Sequence, residues 1–443
     1  MDTPDVAYAR NGDVHIAYQV VGDGPHDILL AQGIFSHLDH QWELPAYAAF
    51  LQRLASFGRL IMLDPRGCGL SDRALTLPPL EEQMDDLTAV LDAARSERPV
   101  LLGISQSGAM AMLYAATYPE RAAGLVLYGA YPAALRDPTF PWGRSTAWLE
   151  EWTRLLDEVW GTGATLSQVA PSRVADPSFR RWWARLERLA SSPGSAVAFA
   201  RIYGRMDVRQ VLPTIRVPTL VLQRRDDVFR PAAIGRYLAD HIAGSRYVEL
   251  DGVDHLPYVG DMESIAVEIE AFVTGTKAAR GSNRVLATVL FTDIAGSTER
   301  AATLGDRAWA DLLNRHHEIM RASIVRFRGR EVDTAGDGFF ATFDGPARAI
   351  RAALAAQAGM AEFGVQIRAG VHTGEVELDQ DHVRGLAVHI GARIGALAAA
   401  DEVLVSGTVR DLSVGSDLLF DDRGVHALKG IPGEWPIFAV AAP

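Results

Sequence analysis

A chain of 443 residues, 48% of them hydrophobic, is long enough for two or three domains and too apolar for disorder. Its formal net charge of −12, with basic residues scattered, excludes nucleic acid as a partner, because phosphate binding needs a basic footprint. The single cysteine, Cys68, excludes an intrachain disulfide and fits a reducing cytoplasm.

The first segment, MDTPDVAYARNGDV, is acidic without an apolar core, so no signal peptide is read there. No stretch reaches the roughly 20 uninterrupted apolar residues of a spanning helix, so no transmembrane segment is expected. Residues 6–21 predict a hairpin turning at Asn11-Gly12-Asp13. ILLAQG, LIMLD, PVLLGIS, GLVLYGA, PTLVLQR and RYVELDG then alternate with helical stretches. Apolar runs of this length fit strands buried on both faces of a mainly parallel sheet. Residues from about 132 to 212 interrupt the rhythm with helices alone and hold Trp142, Trp148, Trp152, Trp160, Trp182 and Trp183. They read as a cap over the sheet. After the amphipathic SIAVEIEAFV, the small and polar TGTKAARGSN at 274–283 reads as a linker.

A second pattern starts at Arg284. VLATVLFTDI predicts a strand, DRAWADLLNRHHEIMRASIVRF a helix, and EVDTAGDGFFATF a hairpin with a tight Gly-Asp-Gly turn. ARAIRAALAAQAGMAEF predicts a helix, VQIRAGVHTGEVEL a strand pair, and GLAVHIGARIGALA a helix. The order βαββαβ points to a ferredoxin-like core with additions. The expected organisation is a domain over 1–273, the linker 274–283 and a domain over 284–443.

Two constellations carry chemistry. Ser105, in Gly103-Ile104-Ser105-Gln106-Ser107-Gly108, follows a strand and precedes a helix, the context of a nucleophile elbow. Asp227 follows PTLVLQR and His255 follows RYVEL, giving the chain order Ser…Asp…His. Ser105 would attack a carbonyl, His255 would carry the proton and Asp227 would hold the imidazole. Asp226 is the neighbouring alternative acid. With LDPRGCGLSD at 63–72, residues 1–273 resemble the α/β-hydrolase family. That resemblance implies an ester or acyl ligand and an oxyanion hole from the N–H groups of Ile34 and Gln106. It favours Asp227 because Pro231 lies four residues on. Ser107 departs from the family's Gly-x-Ser-x-Gly.

In the second pattern, Asp293 ends a buried strand in FTDIAGST and Asp337 sits in the hairpin turn. Together with LKGIPGEWPIFAV they resemble the class III adenylate and guanylate cyclases. The resemblance implies an α/β chain with an α+β ferredoxin-like second domain. It also implies two Mg²⁺ or Mn²⁺ ions on Asp293, Ile294 and Asp337, with backbone amides of IAGS toward phosphate. It makes Arg393 the residue that neutralises the reacting phosphoryl group. It further implies a homodimer whose shared site takes the metal aspartates from one copy and Arg393 with His389 from the other. Three positions depart from the family. Asp333 stands where a Lys or Glu reads the purine, His382 (or neighbouring Asp381) where an Asp assists, and His389 where an Asn is usual. Ile431 and Pro432 occupy the place of a phosphate-gripping lysine expected near Lys429.

The reading is a cytoplasmic adenylate cyclase forming 3′,5′-cyclic AMP and diphosphate from ATP, with GTP left open, fused to a serine-hydrolase domain. The alternative is a carboxylic-ester hydrolase with a degenerate, nucleotide-binding cyclase domain. A third reading is a scaffold with both sites silent.

Overall fold

The computed structural model describes residues 3–73, 78–275, 284–379 and 382–441. The predicted linker therefore lies, from 276 on, outside the described residues. The chain divides into two units, residues 1–78 with 82–282 and residues 79–81 with 283–443.

The first unit holds β1 (Ala7–Asn11), β2 (Val14–Val21), β3 (Asp27–Ala31), β4 (Arg59–Leu63), β5 (Val100–Ile104), β6 (Gly124–Tyr128), β7 (Thr219–Arg224) and β8 (Arg246–Leu250). They form one sheet in the order β1-β2-β4-β3-β5-β6-β7-β8. The β1–β2 hairpin closes at Asn11 and Val14, with Gly12 at φ +62°, a conformation glycine adopts without Cβ strain. From β4 onward all pairings are parallel. Every residue of β6 and β7 is buried, as both-face coverage of a parallel sheet requires. The helix Ser107–Thr117 is buried on all sides, so it is apolar all round rather than amphipathic.

Between β6 and β7 stands the cap, with four α-helices: Thr146–Val159, Leu166–Val169, Pro177–Ala190 and Pro193–Arg205. Ser145, Asp176 and Ser192 accept backbone N–H bonds at three of their starts, and proline opens the last two. Both devices satisfy or remove the unpaired donors of a helix N-terminus. Trp152, Trp160, Trp182 and Trp183 are buried, whereas Trp142 is exposed.

The second unit holds β9 (Arg284–Ile294), β10 (Arg330–Ala335), β11 (Gly338–Phe343), β12 (Ile367–Asp379), β13 (His382–Arg384), β14 (Val403–Ser406), β15 (Phe420–Ala427) and β16 (Glu434–Val440). The order β10-β11-β9-β12 is the ferredoxin-like core, extended by β14, β16 and β15, while β13 pairs β12. The helix Pro346–Ala361 packs against the sheet through Ala349, Ile350, Ala353 and Ala356; small side chains let its backbone approach closely. One expectation fails here. VQIRAGVHTGEVEL is not a strand pair but lies in the single strand β12, paired with β9 from Ile367 to Glu377. Gly374 does not turn the chain. A Cβ there would come within 2.9 Å of Ala387 Cβ and 3.1 Å of His372 Nε2, so this glycine serves close packing inside a strand. Among the described residues no helix is long and apolar enough to cross a membrane.

Candidate active sites

Ser105 sits between β5 and the helix Ser107–Thr117 at φ +56°, a left-handed conformation that a non-glycine residue adopts only where its surroundings impose it. The imposing contacts are tight. A Cβ on Gly103 would lie 2.7 Å from Gly108 Cα, and one on Gly108 would lie 2.4 Å from Ala130 Cβ. Ser107 fills the position where the family carries glycine. Its buried Oγ lies 2.6 Å from Ala31 O, within donating distance, and accepts from Ile104 N–H at 3.0 Å, tying the elbow to the ends of β3 and β5.

His255 follows β8 and is buried. Its Nδ1 lies 2.7 Å from Asp227 Oδ2. Asp227 also accepts from the N–H groups of Phe229 (2.8 Å) and Arg230 (3.0 Å) and from Gln223 Nε2 (3.2 Å). Burial pushes this carboxyl's pKa up, but the His255 charge and these hydrogen bonds outweigh it and hold it below the usual carboxylate range. Asp226 is exposed and its carboxylate does not hold the imidazole. Gly129, at φ +55°, makes room for the ring, since a Cβ there would lie 2.8 Å from His255 Cε1. Among the described residues His255 Nε2 has no partner. Ser105, His255, Ile34 and Gln106 all line one cavity of about 130 Å³ beneath the cap.

Two supports were not legible beforehand. Arg224, buried at the end of β7, donates to the carbonyls of Asp254 (2.7 Å), Leu256 (3.3 Å) and Val259 (2.5 Å) and so clamps the loop that carries His255. Asp254 in turn accepts from Ser172 of the cap at 3.1 and 2.7 Å. The only hint in the sequence was an arginine closing a run of buried strand residues.

In the second unit, β9 and β12 pair Asp293 with Arg368 across the sheet, and Arg368 Nη2 lies 2.6 Å from Asp293 Oδ2. Asp337, in the turn between β10 and β11, accepts from Ile294 N–H at 3.1 Å. That turn is pinned from the helix Asp306–Arg326 by His317 Nε2, 2.9 Å from Gly336 O. Asp293 stands within hydrogen-bond reach of Asp337. Burial and that neighbour raise its pKa, while Arg368 opposes them. Two carboxylates against one guanidinium leave negative charge uncompensated, and oxygen ligands of this kind suit Mg²⁺ or Mn²⁺; the donor set fits a divalent cation. Among the described residues no cluster of three His, Cys, Asp or Glu side chains forms a metal site.

Asp293, Asp333 and Arg368 line a cavity of about 280 Å³, with Ala392, Gly395 and Ala396 from the helix Leu386–Leu397. His389 and Arg393 do not line it. Both are exposed on that helix, where Arg393 Nε donates to Lys429 O at 3.1 Å. His382 is exposed at the start of β13, and Asp381 lies outside the described residues.

Two catalytic-type sites on two folds define the chain as a double-domain enzyme. The chain belongs to the α/β hydrolase fold family, whose model matches residues 28–261; the adenylate and guanylate cyclase catalytic domain matches residues 282–441. It is a fusion of an α/β-hydrolase domain and a class III cyclase domain. Pimeloyl-[acyl-carrier protein] methyl ester esterase from Stenotrophomonas maltophilia is 30% identical over 59% of this chain and 98% of its own length. The bromoperoxidase structure from Bacillus anthracis is 21% identical, covers 61% of this chain and 100% of its own, and has a TM-score of 0.54. The adenylyl cyclase CyaB structure from P. aeruginosa is 23% identical, covers 36% of this chain and 95% of its own, and has a TM-score of 0.34.

Proposed function

We propose that the chain is a cytoplasmic adenylate cyclase, making 3′,5′-cyclic AMP and diphosphate from ATP, with a serine esterase as its N-terminal domain. The observation that carries the cyclase reading is the pair Asp293 and Asp337, brought together by the end of β9 and the pinned turn between β10 and β11. These two carboxylates, with Ile294, would hold Mg²⁺ or Mn²⁺, which when bound activates the ribose 3′-hydroxyl and offsets the triphosphate charge. The helix Ser297–Leu304 starts without a side-chain cap, leaving its first N–H groups for phosphate oxygens. Arg393 and His389 stand apart from the carboxylates on an exposed helix face, which favours a homodimer in which one copy supplies the metal aspartates and the other Arg393 and His389. There Arg393 brings charge to the reacting phosphoryl group and His389 one hydrogen bond. Asp333, at the cavity, can accept from adenine's amino group or from guanine's ring donors. ATP and GTP should therefore differ by less than about a hundredfold, since one polar match discriminates by about 1–3 kcal/mol.

The Arg368–Asp293 ion pair and the substituted base-reading positions favour a second reading, an esterase whose cyclase domain only binds nucleotide. One preparation assayed both ways separates the two. With Mn²⁺, the wild-type chain should form cyclic nucleotide and hydrolyse a short p-nitrophenyl ester. Ser105→Ala should lower ester turnover by several orders of magnitude and leave nucleotide turnover intact. Absence of cyclic nucleotide beside live ester turnover would leave the second reading standing.

A further inference from the structure

The cavity above Ser105 contains two cations that ester hydrolysis does not require. Arg144 of the cap and Arg230 of the loop after Asp227 line it, and none of the residues lining it is acidic. Arg230 is only 4% exposed. Its guanidinium carbon lies 3.9 Å from the Tyr131 ring centroid and 4.4 Å from that of Phe229. Among the described residues its one hydrogen bond from the guanidinium is a long 3.4 Å contact to Phe229 O, and its Nε has no partner. Arg144 donates through Nη2 to Val228 O (3.3 Å) and Phe229 O (2.6 Å) and lies 4.9 Å over Trp148; its Nε also lacks a partner. Asp227, the nearby acid, already serves His255, Gln223 and two backbone N–H groups.

Arg224, a buried arginine with a structural role, also lacks a carboxylate and a partner for its Nε among the described residues, yet it donates to three carbonyl oxygens. Arg230 instead has aromatic rings against its faces and donors left over at its edge. Burying a guanidinium with unused donors is unfavourable, and ring stacking offsets only part of that. Arg144 and Arg230 also repel each other: burial and the Arg230 charge hold the Arg144 pKa below the usual arginine value. An anion between them would relieve both penalties. The guanidinium fork matches the two oxygens of a carboxylate. The remaining walls, Trp148, Leu149 and Trp152 among them, suit a short hydrocarbon.

We infer that this cavity takes an ester that also carries a carboxylate, seated by Arg144 and Arg230 while its ester carbonyl faces Ser105. The inference rests on the cavity being the ligand site of the hydrolase domain, as proposed above, but not on turnover. The test is calorimetric titration of the full-length Ser105→Ala protein with monomethyl adipate and with dimethyl adipate. The half-ester should bind at least about tenfold more tightly, a difference of one charge-assisted contact. Arg144→Met on that background should erase the preference while changing dimethyl adipate binding less than about twofold. Arg230→Gln provides the second variant, with circular dichroism as the check of folding. Equal or weaker binding of the half-ester, equal weakening of both probes by Arg144→Met, or displacement of the half-ester by equimolar inorganic phosphate would each overturn the assignment. A preference for the half-ester in a wild-type protein that hydrolyses neither probe nor the p-nitrophenyl ester would defeat the esterase reading and leave this one standing.

Discussion

The imidazole of His255 is held from several sides by residues that never meet a substrate. Asp227 fixes Nδ1, Gly129 leaves space beneath the ring, and Arg224 ties down the loop on which it rides. Truncating Arg224 leaves the carbonyls of Asp254, Leu256 and Val259 without their buried donor. An unsatisfied buried acceptor costs about 1–3 kcal/mol. Arg224→Met should therefore lower the stability of the hydrolase domain by about 3 kcal/mol or more, measured by urea unfolding. Ester kcat should fall with little change in KM, because the base moves while the cavity walls stay. Loss of stability with kcat intact would limit Arg224 to a structural role. The triad residues could be picked out in the sequence because each follows a buried apolar run. Arg224 and Arg230 could not, because their meaning lies in where a long side chain ends. Arg368 was hidden likewise, since only the β9–β12 register places it opposite Asp293.

At the scale of elements, the elbow shows how a departure from a family pattern is absorbed. Ser107 replaces a glycine, and its hydroxyl joins the helix start to β3 and β5. Ser107→Gly would restore the usual pattern and delete a buried hydrogen-bonding group. The expected result is ester activity within about threefold of wild type and a stability loss of about 1 kcal/mol, read by denaturant titration. A large loss of activity would instead make the Ser107 hydroxyl part of the chemistry. The strands of the first sheet and β9 to β11 of the second were legible because continuous apolar runs and tight turns have a direct physical reading, whereas β13, β14 and β15, short or largely polar, were not. β12 was misread because glycine in a run usually marks a turn. Here Gly374 answers to a neighbour, Ala387, distant in sequence, and no local pattern carries that information.

At the scale of the whole molecule, the cyclase domain buries two imidazoles. Burial, with His317 nearby, pushes the His316 pKa down to about 4, and burial pushes that of His372 down to about 3. Both are neutral when folded at pH 6, whereas an unfolded histidine, with a pKa near 6.5, is largely protonated. The unfolded chain then binds more protons, so stability falls as pH drops from about 6.5 toward 4, by up to about 1.4 kcal/mol per unit per histidine. Urea titrations of the full chain between pH 7 and 4.5 should show the cyclase transition weakening, and His316→Leu should flatten that slope. A slope unchanged in the variant would remove His316 from the account. The central claim, however, is that two copies share one cyclase site. Its most direct test mixes two variants and measures cyclic AMP formed with Mn²⁺. Asp293→Ala and Arg393→Ala should each be inactive alone. Mixed in equal amounts and allowed to exchange, they should regain about a quarter of wild-type activity, since half the dimers are mixed and each holds one intact site of two. Inactive variants whose mixture stays inactive, or single variants that retain wild-type activity, would contradict it.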